Sequence, residues 1–239
     1  MHFLFALIIG CLFFTQYQAG AAEKAPKEGG SVMSIVEKIH WLGHDSFRIE
    51  GEKTIYTDPF KLSKKGKADI ILVTHEHYDH CSPEDIAKVQ GPDTVIVAPP
   101  DCAAKLKGKI KTARPGDKLS IEGVAIEAVP SYNIGKKFHP KEKKWVGYVF
   151  TVEGKRIYIA GDTDRIPEMK DIKADIALLP VGGTYTMTAE EAVKAALDIK
   201  PQVAIPMHWG SIVGSQADAE RFKKELAGKI EVVILPQEK

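Results

Sequence analysis

Short apolar runs, each bounded by turn-forming residues, recur along the chain after residue 50. Enrichment in valine and isoleucine is typical of strands buried within a sheet. The runs that predict strands are KTIYTDP, DIILVTH, DTVIVAPP, VAIEAVPS, VGYVFTVEGKRIYIAGD, DIALLP, QVAIPMH and IEVVILP. The longest of them contains Glu153-Gly154 near its middle, which predicts two strands joined by a hairpin turn.

Three segments with helical periodicity lie between the predicted strands. The first begins after Ser82, a capping residue followed by proline, and ends before Gly91. The second carries a capping box formed by Thr188 and Glu191. The third is SQADAERFKKELAG, closed by Gly228. The apolar face of the second helix is predicted to comprise Ala192, Val193, Ala196 and Leu197.

The order of these elements predicts an α/β fold with two sheets. Hairpins dominate some stretches and strand-helix-strand units dominate others, which disfavours a single doubly wound parallel sheet. Of the 239 residues 44% are apolar, enough for the core of one domain, which we place at residues 35–239. The net charge of +1 gives no electrostatic reason to expect a nucleic-acid partner. We expect a small-molecule substrate, and the sequence leaves the oligomeric state open.

The amino-terminal segment differs from the rest of the chain. The apolar run FLFALIIGCLFF is too short to span a bilayer and is typical of a secretory signal. We predict a signal peptide over residues 1–21 and a flexible linker over residues 22–34. The expected location is the periplasm or the cell exterior; without cleavage, the protein would be membrane-anchored or cytoplasmic. Two later cysteines, Cys81 and Cys102, are expected to be free, with a single bridge as the alternative.

The segment Thr74 to His80, THEHYDH, brings three histidines and two carboxylates together at the end of a predicted strand. Side chains two positions apart on a strand point the same way, so His75 and His77 can converge on one point. Asp79 and His80 follow as the chain turns, and can face the same cavity. Imidazole and carboxylate groups at this density are typical of Zn²⁺ sites, and Mn²⁺ and Fe²⁺ accept the same ligands. The sequence therefore predicts a metal site here.

The spacing H-x-H-x-D-H in THEHYDH resembles the signature of the metallo-β-lactamase superfamily. The resemblance extends from WLGHDSF to PMHWG, and is strongest to small metal-dependent hydrolases similar to ascorbate-6-phosphate lactonases. It implies a four-layer α/β/β/α sandwich, which agrees with the predicted elements. It also implies later ligands: Asp162 in YIAGDTD, able to bridge two metals, and His208 in VAIPMHWG. One or two divalent ions are expected as cofactors, with Zn²⁺ as the first choice and Mn²⁺ or Fe²⁺ as alternatives.

The sequence departs from this pattern at one position. Many members carry a histidine after a strand ending in VP, as third ligand of the first metal, and here AVPSYNIGKKFHP places Asn133 there. An amide oxygen is a weaker zinc ligand than imidazole. Three hypotheses stay open: Asn133 coordinates the metal, His139 folds in from the loop instead of lining the substrate pocket, or the first site is incomplete.

Two further residues lie in segments that flank the metals in members of this superfamily, and two more are candidates for the substrate pocket. His44 follows a predicted strand, and Asp58 lies at a strand end, where its carboxylate can accept the second N–H of a metal-bound histidine. Tyr185 and Trp209 are expected to line the substrate pocket. Asp58, Tyr185 and Trp209 have a purely structural alternative, because Asp58 begins an Asp-Pro turn and aromatic rings are as often part of the core.

These residues predict a metal-dependent hydrolase that acts on an ester, lactone or phosphodiester of a small substrate. A divalent ion lowers the pKa of bound water from roughly 16 to about 7, and so supplies hydroxide as the attacking group. Asp79 is the expected water-orienting residue, assisted by His44 or Tyr185 as hydrogen-bond donor. The lysines of KKFHPKEKK are expected to form an ordinary solvated loop, with attraction of an anionic substrate as the alternative.

Two other classes of protein share such a ligand set. A mononuclear iron dioxygenase is one alternative to the hydrolase. The di-iron oxygen-reducing branch of the superfamily is disfavoured, because it places a glutamate where His77 stands and Glu76 is one position out of register. A non-catalytic metal-binding protein is the other alternative, because Asn133 would leave the first site short of a strong ligand.

Overall fold

The computed structural model describes residues 30–238, so the predicted signal peptide (1–21) lies outside the described residues. Five helices are found in this part of the chain: α1 (Val32–Val36), α2 (Pro83–Val89), α3 (Pro100–Ala103), α4 (Ala189–Ile199) and α5 (Gln216–Leu226). The strands are β1 (Ile39–Gly43), β2 (Ser46–Ile49), β3 (Ile55–Thr57), β4 (Ala68–Leu72), β5 (Gln90–Ala98), β6 (Lys109–Thr112), β7 (Lys118–Ile121), β8 (Val124–Pro130), β9 (Val146–Val152), β10 (Lys155–Ile159), β11 (Ile176–Pro180), β12 (Val203–Met207) and β13 (Glu231–Val232). Two short 3₁₀ segments cover Lys141–Lys143 and Pro167–Asp171.

The strands form two mixed sheets. The first contains β1 to β6 in chain order, antiparallel from β1 to β3 and parallel from β3 to β6. The second has the order β13-β12-β11-β10-β9-β8-β7, parallel from β13 to β10 and antiparallel from β10 to β7. Each sheet therefore combines hairpins with strand-helix-strand units, as the sequence pattern predicts.

Alternation along β4 shows how the layers are arranged. Ile70 and Leu72 belong to the large cluster shared by the two sheets, whereas Ile71 and the following Val73 belong to a second cluster with α2 residues such as Val89. The helices α4 and α5 pack against β11, β12 and β13 of the second sheet. The predicted four-layer α/β/β/α sandwich is confirmed.

Local sequence signals account for the elements that were predicted correctly. The Ser82 side chain accepts a hydrogen bond from the Asp85 backbone N–H and begins α2. Thr188 and Glu191 form the capping box of α4. Glu153 and Gly154 both have positive φ, 48° and 80°, which the tight turn between β9 and β10 requires. Cys81 and Cys102 are both buried and free, as expected.

Other elements differ from the prediction. The predicted linker (22–34) ends early, because Ser31 caps α1 and Val32 is buried in the core. Leu197 was predicted on the apolar face of α4 but is 38% exposed, because it lies at the edge of that stripe. The run IEVVILP yields only the two residues of β13, and its remaining apolar side chains pack on the core without forming a longer strand.

The candidate site residues lie in the turns that follow the carboxyl ends of strands in both sheets. Thr74 to His80 follows β4, Asp162 follows β10, and His208 follows β12. His44 lies in the β1–β2 turn, and Asp58 follows β3. Among the residues that the structure describes, none of the helices is long and apolar enough to cross a membrane.

Candidate metal centre

Three histidines form a first ligand group at the end of β4. One nitrogen from each of His75, His77 and His139 lies within 4.8 Å of the other two. His75 Nε2 and His77 Nδ1 are 3.0 Å apart, a separation at which one cation can contact both. Asp162 Oδ2 adjoins this group, 3.2 Å from His139 Nε2 and 4.0 Å from His75 Nε2.

A second ligand group also adjoins Asp162. His80 Nε2 is 3.5 Å from Asp162 Oδ1, and His208 Nε2 is 3.2 Å from Asp162 Oδ2. Asp79 completes the group, with its Oδ2 3.8 Å from His80 Nε2. The first group (His75, His77, His139) and the second group (Asp79, His80, His208) thus share one carboxylate. The bridging role that the resemblance implied for Asp162 stays a prediction, and this placement is compatible with it.

Hydrogen bonds behind two of the histidines fix which ring nitrogen faces the centre. Asp58 Oδ2 lies 2.8 Å from His80 Nδ1, so it accepts that N–H, as was predicted for it. Thr74 Oγ1 lies 3.0 Å from His75 Nδ1 and donates to Asp58 Oδ2 at 2.6 Å. Because the Nδ1 atoms are engaged behind the rings, the Nε2 lone pairs point toward Asp162, as in metal-binding histidines.

The donor set fits a divalent metal. His80 Nε2, His139 Nε2 and Asp162 Oδ1 are buried and have no hydrogen-bond partner within residues 30–238. Buried polar atoms are rarely left unpartnered, so these three atoms point to a missing ligand. Burial and the neighbouring His80 hold the pKa of His75 well below its usual value, which keeps the ring in the neutral form that binds metal. Burial would raise the pKa of Asp162, but His208 and His80 hold it well below its usual value.

His139, and not Asn133, occupies the third position of the first group. Asn133 Oδ1 accepts from the His139 backbone N–H at 3.0 Å and lies 3.0 Å from His139 Nδ1. The Asn133 amide donates to Asp164 Oδ1 at 3.1 Å and to the Tyr185 carbonyl at 3.0 Å. The sequence left Asn133 and His139 as alternatives for this position; in the structure His139 lies in the first group and Asn133 contacts it from behind. The sequence could not show this, because it depends on the path of the loop between them.

His44 contacts the second group through Asp79. Its Nε2 lies 3.1 Å from Asp79 Oδ2, and its backbone carbonyl accepts from the Trp41 indole and from the His208 backbone N–H. Burial lowers the pKa of His44 to about 4, against the opposing effect of Asp79. The ring is therefore neutral at pH 7 and donates its Nε2–H to the carboxylate. Burial would raise the pKa of Asp79, but this hydrogen bond and the nearby His80 lower it.

The predicted pocket residues lie at the margin of the centre. The Tyr185 ring packs edge-on against Phe138, with ring centroids 4.7 Å apart. Trp209 packs against Trp41 at 4.5 Å and donates its indole N–H to the Pro206 carbonyl. Their roles in substrate binding stay predictions.

Glu76 points away from the metal groups. It forms ion pairs with Lys143 at 2.7 Å and Lys105 at 2.9 Å, and hydrogen bonds from these two lysines lower its pKa to about 2. This agrees with the argument against a di-iron oxidoreductase.

Two residues near the centre were not predicted. The Trp145 ring lies 5.0 Å from each of the His75 and His77 rings and donates its indole N–H to Asp101 at 2.8 Å. Asp45, which directly follows His44, is fully buried in the β1–β2 turn. Its position next to a candidate histidine was the only sequence signal for it.

The fold and the paired ligand groups define a metallohydrolase of the β-lactamase type. The model of the beta-lactamase superfamily domain matches residues 38–208, so the chain belongs to this superfamily. Its relatives are named metal-dependent hydrolases, and this chain is likewise a metal-dependent hydrolase. The narrower resemblance to ascorbate-6-phosphate lactonases stays a prediction.

Three relatives show the extent of the similarity. The UPF0173 metal-dependent hydrolase of Pyrococcus abyssi is 36% identical over 217 residues, which cover 83% of this chain and 96% of the relative. Its counterpart in Thermoplasma volcanium is 38% identical over 215 residues, covering 84% and 96%. The crystal structure of a protein from Parabacteroides distasonis, assigned as a metal-dependent hydrolase, is 39% identical with a TM-score of 0.75, covering 84% of this chain and 93% of that one.

Proposed function

We propose that this protein uses two divalent ions, Zn²⁺ in the first instance, to hydrolyse an ester, lactone or phosphodiester bond of a small molecule. The observation that carries the proposal is the placement of two ligand groups around one carboxylate, that of Asp162. In this arrangement His75, His77 and His139 would hold one ion and Asp79, His80 and His208 the other. When bound, such ions supply an activated water molecule and polarise the oxygen under attack.

The protein's own groups would direct the proton. Asp79 Oδ2 faces His80 Nε2 of the second group and is held by the neutral His44 ring. A carboxylate fixed in this way can orient the attacking water and accept its hydrogen bond, while His44 keeps the carboxylate from turning away. Tyr185 lies at the margin with its ring against Phe138, and is a candidate for contact with the substrate.

Charge around the site favours a neutral substrate over an anionic one. Five lysines lie between Lys136 and Lys144, the loop that suggested an anionic substrate. Lys136 is paired with Asp164 at 2.5 Å, and Lys143 with Glu76 at 2.7 Å. Because carboxylates already neutralise these amines, we favour an ester or lactone over a phosphodiester. Lys141, paired with Glu168 at 3.1 Å, adds to the same argument.

Elemental analysis and a substrate panel test this proposal. The purified mature chain should contain close to two equivalents of metal and turn over some member of a panel of lactones, esters and phosphodiesters. His77→Ala should lose at least one metal equivalent and reduce kcat/KM by about 100-fold or more, because an incomplete ligand set cannot hold the ion. His40→Ala is the matched control, since His40 lies outside the centre beside Glu50 and Glu238.

The alternatives give different results in the same measurements. Full turnover by metal-stripped protein would refute a metal-dependent reaction. Iron as the bound metal, with oxygen consumption, would favour a dioxygenase. Metal binding without turnover of any substrate would favour a non-catalytic protein, although the weak first site that motivated this alternative is replaced here by three histidines.

We also propose that residues 1–21 direct the protein to the periplasm or the cell exterior and are then removed. Amino-terminal sequencing of protein isolated from the periplasmic fraction should find a start close to Ala22. An intact Met1 in the cytoplasmic fraction would refute this location.

A further inference from the structure

Asp45 has a buried carboxylate, and none of the roles assigned above involves it. It is 0% exposed, and neither of its oxygens has a hydrogen-bond partner within residues 30–238. An unpaired carboxylate is strongly unfavourable in a protein interior, and buried polar groups without partners are few. We therefore expect the partner of the Asp45 carboxylate to be an ion that the metal centre binds.

The Asp45 side chain does not stabilise the β1–β2 turn in which it lies. The Asp45 backbone carbonyl accepts from Thr57 Oγ1 at 3.1 Å. The His44 carbonyl, one residue earlier, accepts from the His208 backbone N–H at 3.2 Å. Because these main-chain contacts fix the β1–β2 turn, the carboxylate itself is free to serve another purpose.

The carboxylate of Asp45 lies beside the second metal group. Its Oδ2 lies 3.9 Å from His80 Nδ1, whose proton goes to Asp58 instead. One ligand atom from each of Asp45, His80 and Asp162 lies within 4.8 Å of the other two. Among the described residues, its only ion-pair contact is this histidine, and no lysine or arginine approaches it.

We propose that Asp45 is a positioning residue that stabilises the second metal ion through its negative charge. The inference rests on the proposed function, which assigns an ion to Asp79, His80 and His208. In the metal-free protein the carboxylate lacks a partner and is unfavourable. With the ion bound, the same carboxylate gains a counter-charge. Asp45 should therefore strengthen metal binding at a cost to the stability of the metal-free fold.

Asp45→Asn tests this directly, because asparagine keeps the shape and removes the charge. We expect the dissociation constant of the second ion to rise about 10- to 100-fold, as for other partners of metal ligands, while the first ion is retained. The metal-free variant should melt at the same temperature as the wild type or higher. The gain in melting temperature on adding metal should therefore shrink. Asp45→Ser, which is smaller, should behave in the same way.

Metal affinity and stability are measured on the mature chain, independently of turnover. Competition with a chromogenic chelator gives the affinity for each Zn²⁺ ion, the visible spectrum of the Co²⁺ form reports the ligand field, and thermal melts are recorded with and without a chelator. Asp85→Asn is the matched control, because Asp85 is also buried but accepts from the Leu62 backbone N–H at 2.9 Å and from Lys88 at 2.8 Å. It should lower the melting temperature in both states and leave metal affinity unchanged.

Two results would overturn the proposal. One is wild-type affinity for every bound ion in Asp45→Asn. The other is an equal fall in melting temperature with and without metal, which would show that Asp45 stabilises the fold alone. Neither result would affect the proposed function, which fails instead if the wild-type chain binds no metal or hydrolyses substrates without it.

Discussion

Replacing Asn133 with alanine should weaken the first metal group although Asn133 is not one of its ligands. The Asn133 side chain is buried and makes four hydrogen bonds. Two of them fix His139, by its backbone N–H and its Nδ1. Without the Oδ1 acceptor, the imidazole can rotate and its Nε2 no longer points steadily toward Asp162.

The size of the effect follows from these contacts. At about 1 kcal/mol for each net hydrogen bond, four contacts correspond to a loss of roughly 2 to 4 kcal/mol in the free energy of unfolding. In a domain of this size, each kcal/mol lowers the melting temperature by about 2 to 4 °C. Loss of the acceptor behind a metal-bound histidine lowers metal affinity by about 10- to 100-fold. Both effects should therefore be measurable.

Chelator competition and thermal unfolding of Asn133→Ala provide the assay. Gln202→Ala is the control, since Gln202 is an exposed amide whose Nε2 donates to Asp175, remote from the centre. A first ion bound as tightly as in the wild type would refute the view that Asn133 positions His139. If metal affinity fell equally in His139→Ala and Asn133→Ala, the two residues would act as one unit.

Two further predictions concern the second group. His44 has a folded pKa of about 4, below its ordinary value of 6.5, so the unfolded chain binds the proton more readily. Stability of the metal-free protein should therefore fall between pH 6.5 and pH 4, and His44→Gln should remove about 3 kcal/mol of that fall in denaturant titrations across this range. Gly182→Ala should displace His208 and release the second ion, because an added Cβ would overlap the His208 carbonyl oxygen; metal analysis of the purified variant measures the loss.

Each of these predictions has its own contradicting result. An unchanged pH dependence in His44→Gln would show that other groups govern acid unfolding. Gly91→Ala is the control for Gly182→Ala, because a Cβ at Gly91 would meet only Thr94 Oγ1 at an ordinary distance of 3.7 Å. Full metal content in Gly182→Ala would show that the His208 segment tolerates the shift.

Signals that act over a few residues explain what the sequence could predict. The capping residues Ser82 and Thr188 and the turn at Glu153 set local hydrogen bonds, and all three elements occur where they were expected. Strand ends also predicted that Asp162 and His208 lie close together, because parallel strands of one sheet end at the same edge, and these side chains are 3.2 Å apart. The fold class followed from the same pattern.

Elements at the margins of the fold gave no such signal. The strand Lys109–Thr112 forms one edge of the first sheet and is largely exposed, so its sequence lacks an apolar run. Lys118–Ile121 forms the corresponding edge of the second sheet. The position of His139 depends on a loop held by side-chain contacts from Asn133, and no periodicity encodes such contacts.

Charge balance supports two ions at the centre rather than one. Four carboxylates surround it, and within the described residues their ion-pair partners are histidines alone: Asp45, Asp58, Asp79 and Asp162. In the metal-free protein, the carboxylates around His80 raise its pKa despite its burial, so protonated imidazole supplies part of the balance. A metal ligand must lose that proton. Four negative charges then lie around the bound metal, three of them from Asp45, Asp79 and Asp162 and the fourth from Asp58 behind the His80 ring. One divalent ion would leave two of the four negative charges uncompensated in a largely buried site. Two divalent ions match all four charges, including that of Asp45.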